Sequence, residues 1–388
     1  MAQPLPSQRH RFEIPDGVAY FNCAYLSPKP DSVLEAGRRA VESQSHPWDV
    51  LPRHFYEPNE KLRIEFARLV GGDADGVAFV PSVSYGVGVA ATNLEVGPGR
   101  SVVLVEEQFS SDVYPWRTSV ADQGGSIVTV AAPVGGDLTD AVLEAIDTQT
   151  AVVAVPQCHW ADGRAFDLVA IGAAARAVGA ALVVDASQSL GAVPFDVATV
   201  KPDYLVTVGY KWLFGPFSYG YLWVAPQHRN GIPLEATWIG RKGSEDFSRL
   251  VDYTDEYQPG ARRFDVGEFS NFTLVPMAMA ALGFIHELEP ARISATIAPL
   301  TKRIEQGCIE LGLEPVPSAD RRPHLIGVRF PGGLPDGLRD RLAADSIFLS
   351  VRGSAVRVAP NVYNTMEDVD RLLAAFSDVL GGPGGVGV

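Results

Sequence analysis

In the stretch YLVTVGYKWLFGP, Tyr204 to Pro216, a single lysine, Lys211, follows a run of strand-forming apolar residues and precedes a glycine turn. An ammonium at the end of a buried strand is costly unless its amine has a use. Twenty-six residues earlier, VVDASQ places Asp185 and Gln188 just past another apolar run. A third signal is FVPSVSYGVG, in which Pro81 to Tyr85 join a strand to a helix beginning near Ser84. Each has a plain reading by itself: Asp185 caps a helix, Lys211 snorkels beside Trp212, and PSVSYG is only a turn. Together they supply an amine nucleophile, a carboxylate and a helix N-terminus whose free N–H groups hold an anion.

Those three groups are what pyridoxal 5′-phosphate requires. Lys211 forms a Schiff base with the cofactor aldehyde. With an unperturbed pKa of about 10.4 it is a poor nucleophile until burial or neighbours lower that value. Asp185 holds a proton on the pyridine nitrogen, so that the ring accepts electrons from the substrate carbanion. Gln188 donates to the phenolate oxygen. Backbone N–H groups around Val83 and Ser84, with the Ser84 hydroxyl, hold the phosphate.

The elements that position these residues are legible as a pattern. Between about 75 and 225, seven apolar runs (76–80, 101–107, 126–132, 151–157, 181–187, 203–209 and 219–225) alternate with helix-like segments such as DLTDAVLEAI. Their apolar character is continuous, as in strands buried on both faces. This is an α/β chain with a mostly parallel central sheet, which binds ligands beyond the carboxyl ends of its strands. Residues 17–260 are expected to form a large domain. Residues 1–16 and 285–388 form a smaller α+β domain, and the 261–290 segment joins the two. One long helical stretch is expected from TLVPMAMAALGF to IEQGCIELGL, and the tail GGPGGVGV is expected to be disordered.

The chain has 388 residues with a formal net charge of −14. That balance argues against a nucleic acid or an anionic membrane as partner, since both select clustered Lys and Arg. Three cysteines, Cys23, Cys158 and Cys308, show neither metal-site spacing nor a disulfide framework. No apolar run reaches the roughly 18–20 residues that span a bilayer. The expectation is a cytoplasmic protein.

VVDASQSLGAVPFDV together with DYLVTVGYKWLFGPFSYGYLWV resembles the class V aminotransferases of the fold-type-I pyridoxal-phosphate superfamily. That group includes cysteine desulfurases, selenocysteine lyases, kynureninases and isopenicillin N epimerase-like proteins. The resemblance runs from AYFNCAYLSP to VRVAPNVYNTMEDVD. It implies that Asp185 pairs with the pyridine nitrogen, Gln188 meets the phenolate oxygen, Lys211 carries the cofactor and Tyr210 reaches the phosphate. Phe109 falls where a ring stacks on the cofactor, with core packing as its alternative. His159 falls near the phenolate side, or is a structural histidine. Arg357 matches the arginine that binds the substrate α-carboxylate, a bidentate task suited to a guanidinium; Arg352 is the alternative. A phosphate contact from the neighbouring subunit falls near Gly267 to Asn271, without the usual Gly-Thr pair, and implies a homodimer with shared sites. Asn22, Cys23 and Tyr25 lie on a loop that lines the substrate pocket in the family, though buried packing is the better reading of Cys23.

GVGVAA imitates the dinucleotide fingerprint, and Glu106 even falls where its acid belongs. PSVSY separates the strand from Gly86, however, so these glycines lie inside a helix. A non-catalytic binding relative has no support, because every expected cofactor residue has a counterpart. SIFLSVRGSAVRVAP reaches Arg357 without the cysteine that desulfurases use, and Cys308 lies in a helix. An aminotransferase acting on an amino acid, with a keto acid as second substrate, is the first expectation. A cysteine-independent C–S or C–Se lyase or kynureninase-like hydrolase comes second, and an epimerase third.

Overall fold

The computed structural model describes residues 2–132 and 137–381; the tail expected to be disordered lies, from residue 382, outside them. A two-residue strand, β1 (Ala19–Tyr20), precedes the main sheet. The sheet consists of β2 (Val77–Val80), β3 (Ser101–Val105), β4 (Ser126–Val130), β5 (Thr150–Pro156), β6 (Ala181–Asp185), β7 (Tyr204–Val208) and β8 (Gly220–Val224). Their order is β2-β8-β7-β6-β5-β3-β4. Strands β4, β3, β5, β6 and β7 run parallel, and β8 lies antiparallel between β7 and β2. Each apolar run of the sequence thus becomes a strand.

Alternate residues of these runs feed two hydrophobic clusters, one on each face. Val103, Val153, Val184 and Leu205 join one; Val102, Val152, Val183 and Val206 join the other. The expectation of burial on both faces fails at β4, where Ser126, Val128 and Thr129 are exposed. The reason is topological: β4 is the sheet edge and pairs only with β3.

The fingerprint-like glycines lie inside helix Val83–Asn93. A β-carbon on Gly86 would come within 2.6 Å of the Val206 side chain in β7, so the glycine sets how closely this helix lies on the sheet. The long helical stretch expected near the C-terminus is two helices, Leu274–Leu288 and Pro290–Glu310. Pro290 opens the second, and the residue before a proline is driven out of helical backbone. Glu289 takes φ +63° there.

The C-terminal part adds β9 (Glu314–Pro315), β10 (Ile326–Arg329), β11 (Ile347–Phe348), β12 (Ser350–Arg352) and β13 (Ala355–Val358). The antiparallel order is β12-β13-β10-β9, while β11 pairs with β1. A third cluster, with Ile304, Val328, Val356, Val358 and Phe376, packs this region, and Ala19 and Phe21 belong to it. Among the described residues, no helix is long and apolar enough to cross a membrane.

Candidate active site

Parallel pairing brings the ends of β5, β6 and β7 to one edge. Pro156 lies opposite Asp185, and Asp185 opposite Val206. The chain segments leaving this edge surround a cleft of about 350 Å³. Val83, Phe109, Asp185, Gln188, Tyr210 and Lys211, all singled out from the sequence, line it.

Lys211 hangs from the turn after β7. That turn is closed by two backbone bonds, Gly209 N–H to the Tyr219 carbonyl at 2.9 Å and Gly215 N–H to the Gly209 carbonyl at 2.8 Å. The lysine is 9% exposed, with Nζ 5.5 Å from the centroid of the Phe109 ring and 5.7 Å from that of Tyr210. Burial is the largest influence and brings its pKa down to about 8; the Asp185 charge opposes this, and Arg357 adds to it. The Asp185 carboxylate is steadied by the Ser187 N–H at 2.8 Å.

Gln188 is oriented from behind. The Trp212 indole Nε1, which can only donate, reaches its Oε1 at 3.1 Å, so the amide nitrogen is the other atom. That nitrogen gives one hydrogen to the Ala24 carbonyl at 3.0 Å and keeps a second for the cleft. Across the cleft, Ser82 caps helix Val83–Asn93 by accepting from the Tyr85 N–H at 3.2 Å. Among the described residues the Val83 and Ser84 N–H groups have no partner, as the first turn of a helix dictates. Ser84 itself is exposed, and its hydroxyl donates to Ser111 at 2.8 Å.

Two residues carried no sequence signal: Trp160, which lines the cleft, and Asp112, which lies behind Asp185. Trp160 comes from the loop after β5, where its ring packs against Phe109 at 5.5 Å. Asp112 is 4% exposed and lies within hydrogen-bonding reach of the Asp185 carboxyl. Its Oδ2 has no partner, and burial together with the Asp185 charge raises its pKa far above the carboxylate range. The structure thus backs Asp185 with a second, buried acid whose proton is held more tightly than a free carboxyl's.

Other sequence candidates fall outside the cleft. His159 is buried, with Nδ1 held by Asp162 at 3.2 Å, and its neighbour Trp160 lines the cleft instead. Asn271 spends its side-chain oxygen on the Thr273 and Leu274 N–H groups at the start of helix Leu274–Leu288, and does not line the cleft of its own chain. Asn22 accepts from the Ser350 hydroxyl at 2.6 Å, and Tyr25 is 54% exposed. Cys23 is fully buried; its sulfur meets the Asn361 amide at 3.1 Å, and burial pushes the thiol up to about 12. Cys158 and Cys308 are pushed to about 12 by burial as well. A thiol with that pKa is a poor nucleophile near neutral pH.

Arg357, on β13, is 1% exposed. One nitrogen donates to the Trp160 carbonyl at 2.8 Å, while Nε is buried without a partner. Among the described residues it forms no ion pair with an acid, and burial with Arg352 nearby weakens its hold on the proton. A buried guanidinium without an acid is unstable unless a ligand supplies the anion.

The groups around the cleft fit pyridoxal phosphate. They provide free helix N–H groups for the phosphate, a carboxylate for the ring nitrogen, an amide hydrogen for the ring oxygen and a buried amine. The sequence model of the family Aminotransferase class-V matches residues 19–372. The uncharacterized aminotransferase YcbU of Bacillus subtilis (strain 168) is 28% identical over 316 residues, 81% of this chain and 81% of its own. Isopenicillin N epimerase of Streptomyces clavuligerus is 23% identical over 389 residues, covering 96% of this chain and 98% of its own. Among solved structures, the cystine C–S lyase C-DES in complex with its reaction product cysteine persulfide superposes with a TM-score of 0.85. It is 19% identical, over 95% of this chain and 99% of that one, a likeness of fold. The chain therefore belongs to the class-V aminotransferase family and is a pyridoxal-phosphate-dependent enzyme.

Proposed function

We propose that this enzyme acts on the amino group of an α-amino acid, transferring it to a keto acid, with Lys211 as base and Arg357 as the clamp for the α-carboxylate. The observation that carries the substrate class is the buried, acid-free Arg357 guanidinium with its unpartnered Nε. When bound, the cofactor supplies an electron sink for the bonds at the substrate α-carbon. Lys211 takes and returns the α-proton, since an amine with a pKa of about 8 is partly neutral at physiological pH. Asp185 keeps a proton on the ring nitrogen, with the buried Asp112 carboxyl behind it. Gln188 turns its free amide hydrogen to the ring oxygen. Val83, Ser84 and Tyr210 hold the phosphate, and Phe109 covers the ring. A homodimer with shared sites belongs to this reading, because Asn271 does not line the cleft of its own chain.

Two outcomes test it. Arg357→Lys keeps the charge and loses the fork. Amino-acid affinity should fall by about 1.5–3 kcal/mol, the scale of a charge-assisted hydrogen bond, while amines without a carboxylate change little. Equal weakening of both would move the clamp away from Arg357. The reaction itself is read by mixing holoenzyme with amino acids and no keto acid. Transamination gives one equivalent of keto acid and loss of the yellow band, which returns when a keto acid is added. Continuous ammonia release with pyruvate or sulfide would replace this reading with a lyase, and racemised substrate alone with an epimerase. The three buried cysteines already weigh against chemistry through a protein persulfide.

A further inference from the structure

Arg352 and Arg357 share one face of the β12–β13 hairpin. Ser350 stands opposite Arg357 and Arg352 opposite Ala355, so the two arginines are diagonal neighbours across the pair. Both guanidiniums also approach the Trp160 ring, at 5.7 Å for Arg352 and 5.8 Å for Arg357. Like charges placed this way repel, and the repulsion grows where water is scarce. The Arg352 Nη1 donates only to the Val351 carbonyl, at 2.8 Å. Among the described residues it forms no ion pair.

Trp160 is a wall common to two voids. On one side is the cleft around Lys211; on the other is a larger one of about 740 Å³, lined by Arg352. The other cations of this second void have acids at hand. Arg164 Nε bonds to Asp162 at 2.8 Å, and Arg329 stands directly across from Glu314 in the β10–β9 pair. Arg352, beside Arg357, has Ala355 and not an acid across from it, and lines the larger void next to the Trp160 wall.

We propose that the substrate is an acidic amino acid, whose side chain crosses Trp160 into the larger cleft and presents a second anionic group to Arg352. The proposal rests on the assignment of the α-carboxylate to Arg357. It makes Arg352 a specificity-determining residue, not a second half of one clamp.

Equilibrium binding to the holoenzyme, followed by the visible band, tests this. The ligands are glutamate and α-aminoadipate, the neutral isosteres norvaline and glutamine, and lysine. Lysine is included because Glu107 and Asp320 also line the larger cleft. The parent enzyme should bind the two acidic ligands at least tenfold more tightly than norvaline. Arg352→Gln should abolish that gap and leave the norvaline affinity within twofold. Arg352→Glu should turn the preference toward lysine. Equal weakening of glutamate and norvaline in Arg352→Gln would overturn the proposal, because both arginines would then clamp one carboxylate. A parent enzyme that prefers norvaline or lysine would overturn it too, while leaving the Arg357 assignment standing. If no amino acid of any kind perturbs the band, the amino-acid reading falls and this proposal falls with it.

Discussion

Lys211→Ala should turn over about 10⁴-fold more slowly than the parent, the combined loss of a positioned base and of the covalent anchor. It should still bind pyridoxal phosphate, because the helix N–H groups that hold the phosphate are untouched. Borohydride treatment of the parent should fix the cofactor to the peptide containing Lys211. Mass spectrometry that finds the label on Lys201 or Lys242, or finds none, would sink the assignment. A stability measurement on cofactor-free protein gives an independent check. Folding lowers the Lys211 pKa from 10.5 to about 8, so the unfolded chain binds the extra proton between those values. The penalty is complete below pH 8 and vanishes above about 10.5, so stability from this group rises with pH through that window. Lys211→Met should therefore stabilise the cofactor-free protein at pH 7 by a few kcal/mol, at about 1.4 kcal/mol per pKa unit. The advantage should fade as pH climbs through the window.

Asp185→Asn should slow exchange of the substrate α-proton by about 10²–10³-fold, the usual loss when one preorganised electrostatic partner is removed. Cofactor affinity should fall far less, since the phosphate contacts remain. Deuterium exchange followed by NMR separates the two quantities, and equal exchange rates in variant and parent would refute the role. The acid behind Asp185 matters here. With Asp185 gone, Asp112 is the carboxyl left nearby, so the double variant with Asp112→Asn should lose the exchange that the single variant retains.

The contrast between Asp185 and Asp112 shows what the sequence could disclose. Asp185 and Lys211 each end an apolar, β-branched run, and a parallel sheet delivers the ends of neighbouring strands to one edge. Their proximity therefore follows from periodicity alone. The N-terminus of helix Val83–Asn93 was legible for the same reason. Asp112 and Trp160 sit in segments with no period, and only tertiary packing brings one behind Asp185 and the other to the cleft. The same holds for His159: in its loop a step of one residue decides which side chain faces inward, and it is Trp160. The edge position of β4 was hidden because strand order is not written in any one strand.

The hairpin bearing Arg357 is anchored by Val356 and Val358 in the C-terminal core, whereas Lys211 hangs from a strand whose side chains fill the two cores of the main sheet. An amino acid gripped by both Arg357 and Lys211, as proposed, would be a tie-rod between the C-terminal core and the main sheet. Each half of the molecule then reports on the other: loosening the C-terminal core would slacken the grip on the substrate carboxylate with every residue of the main sheet unchanged.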